Sequence, residues 1–207
     1  FTGYFQHLCK KEFEKNTYVA YSGGDDLFVV GAWDTVLDLA CIVREDFKAF
    51  TCQNKDINIS GGLFLCKGKY PIHRAAWRAE HLLNDLAKEN EVCERNLQEK
   101  ITHRNALAIF NHRMPWEEFL ALKETGEKLV AAIQRDTLNR TYLYKLLDLH
   151  NTWKTNRQLN IARLYYITIR NIKDVQFSKQ MIAKHQYLSN QSYMPILVGY
   201  TALKTRK

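Results

Sequence analysis

The stretch Tyr18-Val19-Ala20-Tyr21-Ser22-Gly23-Gly24-Asp25-Asp26-Leu27-Phe28-Val29-Val30-Gly31 constrains this chain more than any other. Two runs of β-branched, aromatic and apolar residues flank Gly-Gly-Asp-Asp, which predicts a β-hairpin with a tight turn at its tip. Glycine supplies the positive φ that a tight turn needs, and it lets another molecule approach the backbone. Asp25 and Asp26 then stand side by side at an exposed tip, where they repel each other and gain nothing structural from it. As hard oxygen donors they suit Mg²⁺ (or Mn²⁺), which takes one or two carboxylates together with substrate phosphates. A two-metal site of this kind carries out in-line phosphoryl or nucleotidyl transfer. The alternative is a plain Gly/Asp turn, since so short a motif also matches by chance.

The chain has 207 residues, 46% of them hydrophobic, and a formal net charge of +8. That is enough for one large or two small folded domains with a real core. No run of eighteen apolar residues occurs, which excludes a helical membrane span of the usual length. The opening Phe1-Thr2-Gly3-Tyr4 is not a signal peptide and lacks methionine, so translation is expected to begin upstream. Cys9, Cys41, Cys52, Cys66 and Cys93 contain no Cys-x-x-Cys pair. They read as buried or free thiols in a reducing cytoplasm rather than as zinc ligands or disulfides.

Helical spacing of Phe1, Tyr4, Phe5, Leu8 and Cys9 predicts the tail of an amphipathic helix before the hairpin. Residues 32–50 follow as a helix of about five turns, with Val36, Leu37, Leu39, Ala40, Val43, Phe47 and Phe50 on one broad face. Residues 56–65 read as a strand in which Gly61-Gly62 suggests close backbone approach. Pro71 and Ile72 open a helix to about residue 89, residues 91–104 form a polar connector, and residues 106–110 a last strand. The order fits a ferredoxin-like β-α-β-β-α-β domain, with the hairpin as its central pair and its opening strand missing. A missing strand leaves an open position in the sheet.

At this point the residues resemble a family. Tyr21-Ser22-Gly23-Gly24-Asp25-Asp26-Leu27-Phe28, Val30-Gly31-Ala32-Trp33-Asp34, Lys69-Tyr70-Pro71-Ile72 and Ala87-Lys88 look like the second palm domain of the large Cas subunit of type III CRISPR effector complexes. They are closer to its Csm-type than to its Cmr-type member. Residues 105–110 and Trp116-Glu117-Glu118-Phe119 fit the end of that palm and the entry to a C-terminal helical domain. The resemblance implies a nucleotidyl cyclase that converts ATP into cyclic oligoadenylates once the complex binds target RNA. It also implies partners: the rest of the large subunit, the other Csm-type subunits with their small helical members, crRNA and target RNA. The family's HD nuclease domain, first palm and zinc-bearing linker are not in this chain, and no His-Asp dipeptide occurs. The chain therefore looks like the C-terminal piece of a larger protein, expected to be inactive alone.

On this reading Asp25 and Asp26 are the metal ligands, and Gly23 and Gly24 admit the triphosphate. Ser22 either hydrogen-bonds the nucleotide or caps the turn. Lys88 either meets the triphosphate or complements a helix dipole. Tyr70 and Trp33 read as packing residues. His73, His81 and His103 read as surface or packing residues without a carboxylate or histidine at metal spacing.

Residues 1–112 form the expected palm and residues 113–207 an all-α bundle, giving an α+β protein. The bundle's helices are expected from residue 115, over 142–153 and 157–172, and, more weakly, over 177–188 and 194–203. Residues 150–207 carry ten Lys and Arg against a single acid, Asp174. So one-sided a helical surface suits RNA or an acidic partner, with a solvated face as the plain alternative. Two other readings remain: a palm that serves assembly without catalysis, and a diguanylate-cyclase-like enzyme, which would want Glu at position 26.

Overall fold

A computed structural model describes residues 2–9, 13, 15–88, 104–156, 160–183 and 192–206. The chain divides into two compact units, Phe1–Ala108 and Ile109–Lys207. The protein is α+β, with its strands early and its helices late.

The first unit opens with α1 (Thr2–Leu8) and the antiparallel pair β1 (Thr17–Gly23) and β2 (Asp26–Gly31). Helix α2 (Trp33–Phe50) follows, with Asp34 in its first turn, where a carboxylate favours the helix dipole. One side of α2 joins Leu39 and Val43 to Phe5, Leu8 and Cys9 of the α1 segment, and Val19, Leu27 and Val29 of the hairpin pack onto this cluster. Phe50 departs from the broad face expected for it: it is the last helical residue and 83% exposed.

The strand expected over 56–65 shrinks to β3 (Gly61–Leu63). Its first half is held in local turns instead, with the Asp56 N–H donating to Asn54 Oδ1 at 2.9 Å and Asn58 Nδ2 donating to the Lys55 carbonyl at 2.8 Å. Helix α3 (Ile72–His81) continues into a π-helical stretch, Leu82–Ala87, so the helix expected to reach 89 changes pitch on its inner side. Leu82 and Ala87 pack there with Ala108 of β4 (Ala106–Ile109). Strand β3 pairs with β4, whereas β1 and β2 form a two-stranded sheet of their own. The connector expected at 91–104 lies outside the described residues except Arg104.

After β4 the chain turns through Phe110 and Asn111, both at positive φ (54° and 61°), into β5 (His112–Pro115). The sequence alone predicts no strand here, only a helix from residue 115. Two consecutive left-handed residues are the mark of a type I′ hairpin, and asparagine is one of the few side chains that accept it. Among the described residues five helices follow: α4 (Trp116–Gln134), α5 (Thr141–Asn156), α6 (Ile161–Asn171), α7 (Val175–Ala183) and α8 (Tyr193–Lys204). Helix α6 starts at Ile161, capped by Asn160, whose side chain accepts from the Arg163 N–H at 2.8 Å, and the expected start over 157–159 lies outside the described residues. Helix α8 is the unit's centre: Tyr193, Met194, Ile196, Leu197, Val198, Tyr200 and Thr201 are all buried, and it packs on α4 and α5. Its apolar residues run right round the helix, as a buried helix requires.

No helix among the described residues is long and apolar enough to cross a membrane. Among the described residues Cys9, Cys52 and Cys66 are free thiols.

Candidate active site

The hairpin ladder closes with Gly23 opposite Asp26, so only Gly24 and Asp25 form the turn. Gly24 has φ +62°, and Asp25 is not among the residues at positive φ. A left-handed residue at the first turn position alone is the type II′ pattern, which calls for glycine there. A Cβ on Gly24 would meet nothing within 4 Å, so its backbone is open to approach. The two aspartates are therefore not equivalent. Asp25 belongs to the turn and Asp26 to the first rung of β2.

Which face each residue takes is decided two rungs lower. Val19 pairs with Val29, but the next pair is Tyr21 with Phe28, leaving Ala20 as an extra residue in β1. Such a bulge reverses the alternation of side chains along its strand. Without it Tyr21 would share the inner face of Val19. With it, the inner face carries Val19, Ser22, Leu27 and Val29. The outer face carries Tyr18, Tyr21, Gly23, Asp26, Phe28 and Val30. Exposure agrees, since Tyr18 and Tyr21 are 71% and 57% exposed while Val19 and Ser22 are half-buried.

Asp25 and Asp26 are both exposed, and among the described residues neither has a hydrogen bond or an ion pair. No group of three or more His, Cys, Asp or Glu comes together among those residues. Two unpaired carboxylates with open backbone beside them fit a hard cation that draws its remaining oxygens from a phosphate ligand or water. Gly23 lies on the same outer face as Asp26. Ser22 faces inward, opposite Leu27, on the other side of the strand from Asp26. Lys88 is exposed and caps the π-helical stretch, its N–H donating to the Leu83 carbonyl at 2.9 Å. It stands on a different element from the hairpin.

The remaining sequence candidates fall out as follows. Tyr70 rests against Phe64, ring centroids 5.6 Å apart, in keeping with a packing role. Trp33 opens α2 half-buried. His81 does have a carboxylate partner: its Nδ1 meets Asp85 one turn on. His103 lies outside the described residues. Sequence reading overlooked Tyr21, because only the bulge at Ala20 brings it to the face of Asp26.

The family model of the second palm domain of Cas10/Cmr2 matches residues 1–97, the part of the chain that carries this hairpin. The chain is similar to the C-terminal part of Cas10 proteins. It is 39% identical over 127 residues to a protein of Methanocaldococcus jannaschii, covering 56% of this chain and 16% of that relative. It is 29% identical over 194 residues to one of Enterococcus italicus, covering 91% of this chain and 23% of the relative. A third, of Mycobacterium tuberculosis, is 33% identical over 136 residues, 63% of this chain and 15% of the relative. Each is named a CRISPR system single-strand-specific deoxyribonuclease Cas10/Csm1 of subtype III-A. The chain thus spans between 15% and 23% of the length of these Cas10 relatives. The Enterococcus italicus alignment is long enough to carry the likeness beyond the palm into the helical unit.

Proposed function

We propose that this chain contributes the metal-binding palm of a nucleotidyl-transfer site. In it, ATP is joined into cyclic oligoadenylates while the type III effector complex holds target RNA. The observation that carries the reading is the pair Asp25 and Asp26. They are exposed, without a protein partner among the described residues, and set beside approachable glycine backbone, on a chain whose palm part matches the Cas10/Cmr2 second palm model.

Asp25 and Asp26 would hold Mg²⁺ or Mn²⁺, whose charge offsets that of the triphosphate and of the leaving pyrophosphate. The protein's own part is positional. Gly24 lets the turn take its left-handed step, Gly23 keeps the outer face low beside Asp26, and the two carboxylates fix where the phosphates sit. No protein nucleophile is needed, since a ribose hydroxyl of one nucleotide attacks the α-phosphorus of the next. Ser22, facing inward, supports the turn. Lys88 remains a candidate for the triphosphate only if a partner or substrate brings it to the hairpin. The other large-subunit domains, the Csm-type subunits and crRNA would complete the working assembly.

The test is paired. Asp25→Ala/Asp26→Ala in the full complex should keep its melting temperature and its target RNA, and lose ATP-to-oligoadenylate turnover. Retained turnover would remove these residues from the site. Lost turnover together with a collapsed melting temperature would favour the second reading, a palm that serves assembly alone.

A further inference from the structure

Three features of the hairpin converge on one side chain that the motif itself does not single out. The bulge at Ala20 turns Tyr21 to the outer face, where it pairs with Phe28 and shares that face with Asp26. Its phenol then lies along the strand toward the tip. A Cβ built on Gly23 would stand 2.8 Å from the Tyr21 hydroxyl oxygen and 3.1 Å from the ring carbon that bears it. Gly23 is therefore what allows the ring to reach the tip; any larger residue would push it off. Lastly, the hydroxyl has no hydrogen-bond partner among the described residues, although its ring is 57% exposed.

Gly23 faces Asp26 across the ladder, and directly opposed residues hold their Cβ positions roughly 4.5–5.5 Å apart. The Tyr21 hydroxyl and Asp26 thus share the outer face at the tip, across a gap that no hydrogen bond closes among the described residues. A phosphate group spans such a gap, with one oxygen accepting from the phenol and another meeting an ion on the carboxylate. A phenol is neutral and can donate to an anionic oxygen. A hydrogen bond to a charged acceptor is among the stronger ones.

We infer that Tyr21 is a substrate-contacting residue, whose hydroxyl donates a hydrogen bond to a phosphate oxygen of the nucleotide held at Asp25 and Asp26. This rests on the nucleotidyl-transfer reading above and adds to it a residue outside Gly-Gly-Asp-Asp. The ring itself has a structural use, covering the backbone at Gly23, so the discriminating substitution keeps the ring and removes only the oxygen.

The experiment uses the full effector complex and compares wild type, Tyr21→Phe and Tyr18→Phe. Binding is measured by calorimetry with ATP and with inorganic tripolyphosphate, each with Ca²⁺ so that no turnover occurs. KM and kcat for ATP with Mg²⁺ and target RNA are measured alongside. Tyr21→Phe should bind both ligands about tenfold more weakly or worse, the loss expected for one hydrogen bond to a charged acceptor. Its melting temperature should be unchanged. Tyr18→Phe, two outer rungs from the tip, should match wild type. If wild type binds and turns over ATP and Tyr21→Phe does so equally, the inference about Tyr21 fails and the reading of the site stands. If weaker binding by Tyr21→Phe comes only with a lowered melting temperature, the hydroxyl is structural and the inference likewise fails. If wild type binds neither ligand, both fail together.

Discussion

Gly62 of β3 approaches helix α3 so closely that a Cβ there would stand 2.4 Å from the Ala79 carbonyl oxygen and 2.6 Å from the Leu83 nitrogen. Both neighbours are backbone and cannot swing aside. The Gly61-Gly62 pair in the sequence is therefore the signature of strand and helix backbones in direct apposition.

Gly62→Ala should destabilise the protein by about 1–3 kcal/mol, the usual cost of overpacking. Gly68→Ala is the matched control, because a Cβ at Gly68 meets nothing within 4 Å. Urea unfolding of the two variants checks this, with a lowered midpoint expected for the first only.

Tyr142 of α5 shares a hydrogen bond with the wholly buried Thr168 of α6, oxygen to oxygen 3.1 Å. Burial pushes the phenol up to about 12, with the Thr168 hydroxyl pulling slightly the other way. An unfolded chain releases this proton near pH 10. The stability it contributes is therefore intact below pH 10 and is lost as pH rises through about 12. The full loss is about 2–3 kcal/mol. Tyr142→Phe should remove that alkaline decline while costing about 1–2 kcal/mol at neutral pH, because Thr168 loses this partner. Unfolding curves at pH 7 and above pH 10 separate the two effects.

His112 of β5 is half-buried near Lys154 and His150, and burial first, then those two charges, hold its imidazole below the ordinary histidine value of 6.5. The unfolded chain takes up the proton more readily than the folded one. The contribution is thus present above pH 6.5 and lost as pH falls through the lowered value. Thermal unfolding of His112→Gln should show a shallower acid decline than wild type between pH 7 and pH 5.

Asp174, the one acid in residues 150–207, accepts from the Phe177 N–H at 3.0 Å and so serves as the N-cap of α7. On α6, Arg163 pairs with Asp148 at 2.7 Å and Arg170 lies over the Tyr166 ring, beside the exposed Tyr165 and Ile169. Arg157 lies outside the described residues. We propose that this face meets an acidic partner or RNA within the effector complex. Arg163→Gln/Arg170→Gln should leave the melting temperature nearly unchanged, since exposed pairs contribute little. It should weaken assembly or RNA retention, with a salt dependence shallower than that of wild type. Size-exclusion chromatography of the complex across a salt series reads the outcome; normal assembly at every salt concentration would exclude this face.

The hairpin was legible from Tyr18 to Gly31 because alternation, β-branched residues and glycine all point one way there. The Ala20 bulge was not, since nothing in Val19-Ala20-Tyr21 marks an extra residue, and it alone decides the face of Tyr21. Residues 56–65 looked like a full strand by alternation, but turn contacts at Asn54 and Lys55 hold half of it out of the ladder. Strand β5 was missed because Phe110-Asn111 lacks the glycine that usually announces a type I′ turn. Helix α8 was read as weak because its apolar residues show no stripe. A helix enclosed on every side has no polar face to set the period.

That enclosure also bears on how the protein is made. Chains emerge from the ribosome N-terminus first, so α4 and α5 are synthesised with the faces that later clasp α8 still bare. At roughly 5–20 residues per second, these faces stay uncovered for seconds. Leu122, Leu129, Leu143 and Leu146, all wholly buried in the finished protein, are exposed to chance partners during that interval. A chaperone that holds apolar helices on nascent chains would find a target here, between the birth of α4 and the arrival of Tyr193.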